Sequence, residues 1–230
     1  MDSMIETLMD LPLFRGSSYE RMSEIVGKFK FHFLKYLPGN ELIASGQPCT
    51  SLIFLLTGAV RATISNDNGR FKMVQTLPAP SVITPEFLFG RLTYYPCSAT
   101  VVEPTNILQV SKNDYLRILS KDPVFLLNYL NSISSNAQRA VDGILALTSG
   151  SIEERIGLWV ACLTQSEAKD IVIQCRLRDM YTMFGVPRGS FIAALDNLKD
   201  AGIIDYTATE ITVLKRAELI RPVVSAPSTI

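Results

Sequence analysis

The residues with the clearest chemical potential stand together at the start of a predicted helix. They are Arg188, Gly189, Ser190 and, one turn later, Ala193. An arginine can donate two hydrogen bonds to the paired acceptors on the major-groove edge of guanine, and a serine hydroxyl can bind a phosphate oxygen. Side chains in the first turn of a helix reach base edges when that helix lies in the major groove. The pattern predicts a surface that binds double-stranded DNA.

Two short helices joined by a tight turn are predicted to position these residues. The first helix has Met180, Met183 and Phe184 on its inward face, and the turn is Gly185-Val186-Pro187. The second helix has an apolar face at helical spacing, formed by Phe191, Ala194, Leu195 and Leu198. This is the helix-turn-helix arrangement. On spacing alone, an αα-hairpin without a nucleic-acid partner fits equally well.

A predicted β-hairpin directly after the second helix favours the DNA-binding interpretation. The chain ends the helix at Gly202, enters a strand that reaches Tyr206, turns at residues 207–209 and returns over residues 210–213. Such a hairpin is a wing. Residues 149–230 are therefore predicted to form a winged helix-turn-helix domain.

Basic side chains around these helices are the predicted contacts to DNA phosphates. They are Arg176, Arg178 and Lys199, which join Arg188 in the candidate DNA-binding set. Residues 149–230 hold nine Lys and Arg against ten Asp and Glu, so the domain carries no general attraction for DNA. Affinity must come from the local placement of these side chains, and we expect it to depend on salt.

The composition of the chain excludes several other kinds of function. The 230 residues include 22 basic and 22 acidic residues and a single histidine, His32. A cupin-like metal enzyme needs a cluster of histidines with carboxylates, which one histidine does not provide. The sequence also contains neither a recognisable nucleophile–base pair nor a phosphate-binding glycine loop. We therefore predict that the protein is not an enzyme and binds no metal or cofactor.

The cysteines and the hydropathy pattern predict a cytoplasmic protein. The four cysteines are far apart and contain no CxxC pair, a pattern typical of reduced and mostly buried thiols: Cys49, Cys97, Cys162 and Cys175. No apolar run approaches the length of a membrane span, and the N-terminus lacks the pattern of a signal peptide.

Residues 122–148 are predicted to form one long helix that joins two halves of the chain. Asp122 can cap this helix, and Pro123 suits its first position. Its apolar residues recur at alternating spacings of four and three: Leu126, Leu130, Ile133, Ala137, Ala140, Ile144 and Leu147. The helix could lie on its own domain, but its polar flanks favour a seam shared between two chains. We predict a homodimer, with a hinge that begins at Ser149.

Residues before the long helix are predicted to form an antiparallel β-barrel of the jelly-roll type. Residues 3–27 resemble short helices, and the pattern alternates with a period of two from residue 28. Turn signals then separate short apolar runs at regular intervals. We therefore predict an α+β fold with three parts: a barrel with flanking helices over residues 1–121, a dimerisation helix over residues 122–148 and a DNA-binding domain over residues 149–230.

The order of these parts resembles the Crp–Fnr family of bacterial transcription regulators. The resemblance covers about residues 25–215, and besides the helix-turn-helix its best local matches are residues 38–46, 57–58, 154–156 and 198–204. It implies a cyclic-nucleotide-binding-like sensor barrel, DNA as the target and RNA polymerase as a further partner. Arg188 matches a base-contacting arginine of the family. Gly189 and Ala193 replace the usual glutamate and second arginine, so the usual operator sequence is not expected.

The residues that would bind a cyclic nucleotide depart from the family pattern. The family's phosphate-binding stretches, Gly-Glu-Leu and Arg-Ser-Ala, correspond to Pro85-Glu86-Phe87 and Cys97-Ser98-Ala99. Cys97 replaces the arginine that would neutralise the phosphate, and Pro85 removes a backbone donor. Ala140 and Val141 replace the polar pair that contacts adenine. We therefore expect that cyclic AMP does not bind, and that any unknown small-molecule effector lies near Glu86, Phe87, Cys97 and Ser98.

The resemblance leaves one alternative function open and makes two other cofactors unexpected. The near balance of charge also fits a small-molecule-binding module whose winged helix mediates protein–protein contacts. No cysteine precedes Cys49, so the N-terminal cluster of oxygen-sensing relatives cannot form. His32 alone supplies haem ligands poorly.

Overall fold

The structure, a computed structural model, describes residues 2–66, 68–148 and 150–224. Asp67, Ser149 at the predicted hinge and residues 225–230 of the predicted DNA-binding domain lie outside the described residues. Contacts divide the chain into two compact units, one of Met1–Ala62 with Leu77–Asn136 and the other of Thr63–Thr76 with Ala137–Ile230. Within the described ranges, no helix has the length and apolar character needed to cross a membrane.

The first unit contains three complete helices and most of the strands. Its helices are α1 (Asp2–Met9), α2 (Tyr19–Lys28) and α3 (Lys112–Lys121), followed by the first part of α4 (Pro123–Leu145). Its strands are β1 (Phe31–Tyr36), β2 (Glu41–Ile43), β3 (Ser51–Thr57), β6 (Ser81–Ile83), β7 (Ser98–Val101) and β8 (Thr105–Ser111). A 3-10 helix spans Pro85–Phe87. The two strands β4 (Ala59–Ser65) and β5 (Phe71–Pro78) belong to both units.

Antiparallel pairing organises the first unit, as the alternating sequence pattern predicted. Strands β1, β8, β3 and β6 form a four-stranded sheet in that order, while β2 pairs with β7, which adjoins β4. The centre of β3 is a continuous buried run, Leu52 to Leu55, because that strand is covered on both faces. The mixture of helices with antiparallel sheets confirms the predicted α+β fold and is consistent with a jelly roll. The pairings between described strands form open sheets and not a closed ring.

A glycine at the β3–β4 turn has a clear physical reason. Gly58 has a φ of +81°, and a Cβ atom there would lie 2.4 Å from the Thr105 hydroxyl oxygen and 2.6 Å from the Pro104 carbonyl oxygen. Only glycine fits such a close approach at a positive φ. The Thr57-Gly58 match noted in the sequence is therefore a requirement of backbone packing.

Aromatic side chains fill the core of the first unit. Phe14 stacks on Phe54 of β3 with ring centroids 5.0 Å apart and meets Phe125 of α4 edge-on at 5.3 Å. The three rings are fully buried. Asp122 caps α4 as predicted, since its carboxylate accepts a hydrogen bond from the Val124 N–H at 2.8 Å, and it also pairs with Arg21.

The second unit contains the two helices and the β-hairpin expected over residues 177–213, together with two elements that the sequence did not indicate. Its elements are the last part of α4, α5 (Ile152–Leu163), β9 (Lys169–Cys175), α6 (Leu177–Met183), α7 (Arg188–Asp200), β10 (Ile204–Tyr206), β11 (Glu210–Val213) and α8 (Arg216–Val224). Helix α5 begins with a capping box, in which Ser151 and Glu154 exchange hydrogen bonds with each other's backbone N–H groups. Helix α8 was not predicted.

The second unexpected element is the tip of the β4–β5 hairpin. Residues 71–76 of β5 pair with β9, so the sheet of the second unit runs β10, β11, β9, β5. The pairing shifts register between Val74 and Thr76, and the buried side chain of Gln75 accepts a hydrogen bond from the Gln165 N–H at 3.1 Å. The hairpin tip is therefore an integral strand of the unit that contains the helix-turn-helix.

Candidate nucleic-acid interface and effector site

The recognition helix α7 exposes the side chains that the sequence singled out. Arg188 occupies the first position of this helix, and Arg188, Gly189, Ser190 and Ala193 are all exposed. The opposite face of the helix is buried through Phe191, Ala194, Leu195 and Leu198. The period of 3.6 residues thus separates an apolar face that fixes the helix from a face available to a partner.

A row of aromatic rings anchors this helix to the rest of the second unit. Phe71 of β5 meets Trp159 of α5 edge-on at 6.1 Å, and Trp159 meets Phe184 at 5.7 Å. Phe184 in turn lies 5.6 Å from Phe191 of α7. Each ring pair adds to the stabilisation from buried area. The position of Arg188 is therefore set by packing that begins at the hairpin strand.

The turn between α6 and α7 is closed by its own backbone. The Gly185 N–H donates to the Thr182 carbonyl at 3.2 Å, and the Val186 N–H donates to the Tyr181 carbonyl at 3.1 Å. Gly185 has a φ of +64°, where a side chain would be strained. These bonds hold the two helices as the predicted helix-turn-helix.

Lys199, a predicted phosphate contact, is engaged within the protein itself. Its ammonium group pairs with the Asp205 carboxylate at 2.7 Å and lies over the Tyr206 ring at 5.5 Å from the centroid. The hydrogen bond from Lys199 lowers the pKa of Asp205, and the same bond raises the pKa of Lys199. Both groups are exposed, so water screens the pair. A phosphate would have to compete with Asp205 for this ammonium group.

An acidic residue also stands on the exposed face of α7. The Tyr206 hydroxyl donates a hydrogen bond to the Asp196 carboxylate at 2.5 Å, and this bond raises the pKa of Tyr206 to about 12. Asp196 lies two turns beyond Arg188, so the far half of the recognition helix is negative where the near end is positive. The candidate contact surface for DNA is therefore limited to the start of α7.

Arg176 and Arg178 lie at the start of the helix-turn-helix and are both exposed. Arg176 precedes α6 and Arg178 belongs to its first turn. Neither guanidinium has a salt bridge among the described residues. Their part in binding phosphates stays a prediction.

In the first unit, the structure brings part of the predicted effector site together. The Glu86 carboxylate is exposed and accepts a hydrogen bond from the Asn136 amide at 3.0 Å, while the Tyr129 hydroxyl donates to the Pro85 carbonyl at 2.8 Å. Phe87 and Ser98 are half-buried. The thiol of Cys97 is buried at 2% exposure close to Glu86, and burial, helped by that carboxylate, raises its pKa to about 11. This environment disfavours negative charge.

Three tyrosine side chains and a second thiol lie around Glu86 and Cys97, and none of them was part of the predicted site. The Tyr95 hydroxyl donates to the Ser51 carbonyl at 3.0 Å, and burial raises the pKa of Cys49 beside it. Tyr115 and Tyr129 meet edge-on at 5.6 Å, and the Tyr115 hydroxyl has no hydrogen-bond partner among the described residues. Their scattered sequence positions carry no shared motif, so only the fold reveals the cluster.

The other two predicted effector residues, Ala140 and Val141, belong to the second unit. Both are exposed on α4. Their part in an effector site stays a prediction. Within the described residues, no three His, Cys, Asp or Glu side chains are grouped so that they could hold a metal ion.

Helix α4 exposes an apolar stripe along its length. Helix α4 ends at Leu145 and not at residue 148 as predicted, so Leu147 of the predicted seam lies beyond it. Ile133 and Leu147 are half-buried in their own chain, and the other five residues of the predicted seam are exposed. The structure reveals a neighbouring register in which every position is exposed: Leu127, Leu130, Ser134, Ala137, Val141 and Ile144. Leu127 is 57% and Ile144 69% exposed. The two registers share Leu130, Ala137 and Ile144, which makes these three the strongest candidates for contact with a second chain.

Comparisons with known proteins agree with this architecture. Residues 33–122 match the family model of the cyclic nucleotide-binding domain. The catabolite activator protein of Thermus thermophilus has a similar structure over 90% of this chain and 96% of that chain, with a TM-score of 0.50 and 18% identity. The sensor domain of the transcriptional regulator DNR from Pseudomonas aeruginosa is similar over 61% of this chain and 93% of that one, with a TM-score of 0.53 and 18% identity.

No curated protein sequence matches the chain. At 18% identity the structural likeness concerns the fold, and it covers 90% of the chain. Together with the domain match, it confirms the predicted resemblance in fold to Crp–Fnr regulators.

Proposed function

We propose that the protein is a homodimeric, sequence-specific DNA-binding regulator of transcription of the Crp–Fnr type, and not an enzyme. The observation that carries this proposal is the recognition helix α7, whose apolar face is buried while Arg188 stands exposed at its start. The exposed Arg176 and Arg178 at the preceding helix suit the DNA backbone, which the first helix of a helix-turn-helix crosses. Such a regulator acts with RNA polymerase in the bacterial cytoplasm.

A dimer through α4 supports binding to a symmetric operator. Two recognition helices related by a two-fold axis reach half-sites about 34–36 Å apart, one turn of DNA. The apolar stripe of α4 is suited to a two-fold dimer interface, because exposed Leu127, Leu130 and Ile144 would otherwise face water.

We further propose that the sensor region does not bind cyclic AMP. A phosphate needs a nearby cation or several donors, and Cys97 offers a neutral buried thiol next to the Glu86 carboxylate. An effector of this region would be uncharged or weakly polar. Isothermal calorimetry with cyclic AMP should show no binding, and micromolar affinity would contradict the proposal.

The proposal is tested by DNA binding of the full-length protein. A random duplex library is enriched on the protein, and fluorescence anisotropy then compares the enriched duplex with a scrambled one at two salt concentrations. We expect tighter binding to the enriched duplex and a strong loss of affinity with salt. If the library yields no enriched sequence and neither duplex binds, the alternative gains support. In that alternative the winged helix mediates protein contacts, which the acidic Asp196 and the paired Lys199 would also suit.

A further inference from the structure

The pairing of β5 with β9 brings the tip of the β4–β5 hairpin to the start of the helix-turn-helix. Phe71 lies opposite Cys175, and Lys72 lies opposite Gln174. Arg70 directly precedes β5 and Arg176 directly follows β9, so both lie just beyond the Phe71–Cys175 pair. Two arginines that are more than a hundred positions apart in sequence thus flank the same end of this strand pair.

The side chains of these residues point to the solvent face of the sheet. Alternation along β5 puts Lys72 on the face opposite Phe71, which meets Trp159, and Arg70 directly precedes the strand. Burial agrees with this alternation, since Arg70, Lys72, Gln174 and Arg176 are all exposed while Met73 and Ile173 are buried. Arg178, in the first turn of α6, follows two residues after Arg176.

The resulting cluster of Arg70, Lys72, Arg176 and Arg178, here called the hairpin basic cluster, is poorly balanced by acids. None of its four members forms a salt bridge among the described residues. On the neighbouring strand β11, Glu210 lies opposite Gln174 and already accepts a hydrogen bond from its side chain at 3.0 Å. Like charges gathered at one end of a strand pair repel one another. An anionic partner would relieve this repulsion.

We propose that the hairpin tip is part of the DNA-binding surface and that Arg70 binds a backbone phosphate beside the helix-turn-helix. The inference rests on the proposed function. Since the first helix of this motif crosses the DNA backbone, Arg178 and Arg176 mark the path of a phosphate strand, and the Phe71–Cys175 pair places Arg70 at the same end of the strands. Phosphate contacts of this kind add affinity without reading sequence. The sensor hairpin thereby contributes directly to affinity for any duplex.

The test is Arg70→Gln in the full-length protein, with Lys169→Gln as the matched control. Lys169 is an exposed cation on the same strand pair, at the opposite end of β9 and about 20 Å away. Affinity is measured by anisotropy for the enriched and the scrambled duplex across a series of salt concentrations. Circular dichroism verifies that each variant is folded.

We expect Arg70→Gln to weaken both duplexes by the same factor and to leave their affinity ratio unchanged. The slope of log affinity against log salt should fall in magnitude by about 0.9 for each lost contact, hence by about 1.8 for a dimer. Lys169→Gln should leave slope and affinity as in the wild type.

Two other results would separate the inference from the proposed function. If the wild type binds DNA and Arg70→Gln keeps the wild-type slope, the inference is wrong and the proposed function stands. If the wild type binds neither duplex, the proposed function fails and the inference fails with it. An equal change of the salt slope in Lys169→Gln would also overturn the inference. The slope would then depend on the net charge of the protein and not on a phosphate contact at Arg70.

Discussion

At the scale of single residues, the candidate DNA surface depends on one side chain. Arg188 is exposed at the first position of α7, and its outward neighbours Gly189 and Ala193 have side chains too small to reach far. Ser190 is exposed but its short hydroxyl side chain suits a phosphate, and Asp196 accepts a hydrogen bond from Tyr206. Specificity should therefore come mainly from Arg188.

Replacing Arg188 by alanine should reduce the preference for the enriched duplex. A bidentate contact from arginine to guanine discriminates by about 1–3 kcal/mol, and a symmetric dimer makes it twice. The affinity for scrambled DNA should change much less, because that binding depends on phosphates. Titrations of each protein with the enriched and the scrambled duplex measure the ratio of the two affinities.

Arg178→Ala is the matched comparison for this prediction. Its arginine is also exposed, but it lies on α6, where we expect a phosphate contact. It should weaken both duplexes alike and reduce the salt slope. A wild-type specificity ratio in Arg188→Ala would mean that another surface reads the sequence.

The buried thiol of Cys97 should make stability depend on alkaline pH. Its pKa rises from the ordinary value of 9.0 to about 11 on folding, so between these values the unfolded chain loses the proton and the folded chain keeps it. The folded state then binds more protons, and the free energy of unfolding must fall as pH rises. The contribution of this thiol should be fully present below about pH 9 and reduced by about 1 kcal/mol near pH 10.

Urea unfolding of the wild type and Cys97→Ala at several alkaline pH values measures this contribution. The variant loses packing at every pH, so the informative quantity is the difference between the two pH profiles. Tyr95 and Tyr129, whose pKa values burial also raises, remain in both proteins. Parallel profiles would show that Cys97 ionises as readily in the folded chain as in the unfolded one.

At the scale of elements, helix α4 should determine the oligomeric state. Leu130 belongs to both the predicted seam and the fully exposed register, whereas Ile133 is half-buried in its own chain. Leu130→Glu would place two carboxylates against each other across the two-fold axis. Uncompensated charge in such an interface costs about 3–5 kcal/mol, so we expect monomers in analytical ultracentrifugation.

Asn131→Glu provides the control for the dimer prediction. It adds the same charge at the next residue, which is also exposed but lies beside the stripe. Flanking positions of a two-helix contact tolerate charge. A dimer that persists in Leu130→Glu would place the interface on a different surface.

The packing of α5 against α8 is predicted to depend on a glycine. A Cβ atom at Gly157 would lie 2.3 Å from the Leu219 carbonyl oxygen, a backbone atom that cannot move alone. Gly157→Ala should therefore destabilise the protein by about 1–3 kcal/mol in urea unfolding, despite the better helix propensity of alanine. Gly27→Ala in α2, where nothing lies within 4 Å, should be neutral or stabilising by up to about 1 kcal/mol. Equal stability of the two variants would contradict the close contact.

The sequence predicted those elements whose signals are local. The cap at Asp122 and the two helices over residues 177–199 each depend on residues within one or two turns of each other. The pairing of β5 with β9 joins residues about a hundred positions apart and leaves no periodic signal, so it was missed. The ion pair of Lys199 with Asp205 was missed for a related reason, because it forms only when the wing folds back beside α7.

The candidate effector region was even harder to predict from sequence, because its residues come from distant parts of the chain. The alignment with the family placed Glu86, Cys97 and Ser98 in the first unit, and the structure brings Glu86 and Cys97 close together. It could not indicate that Tyr95, Tyr115 and Tyr129 gather around them, because phenols in a core look like any other buried aromatic residue. The chemistry of this region follows from three-dimensional packing.

At the scale of the whole molecule, the two compact units do not follow the order of the chain. Residues 63–76 pack with residues 137–230, while the sequences on either side of the hairpin belong to the first unit. The predicted boundaries at residues 121 and 148 stay a prediction about domains. Strand β5, which pairs with β9, continues into the first unit, so the hairpin is a covalent connection between the two units in addition to α4.

Because the second unit consists of two separate stretches of sequence, residues 137–230 alone are a poor candidate for transfer to another protein. A fragment of residues 137–230 grafted onto another sensor would leave the edge of β9 unpaired, with Ile171 and Ile173 no longer covered by β5. Bare edges of this type recruit strands from other chains. Light scattering should detect association of this fragment, whereas a fragment that also carries residues 63–76 through a flexible linker should remain monodisperse. Functional hybrids between such regulators would then have their crossover points on both sides of the hairpin, and a transfer that takes the C-terminal sequence alone should yield an insoluble protein.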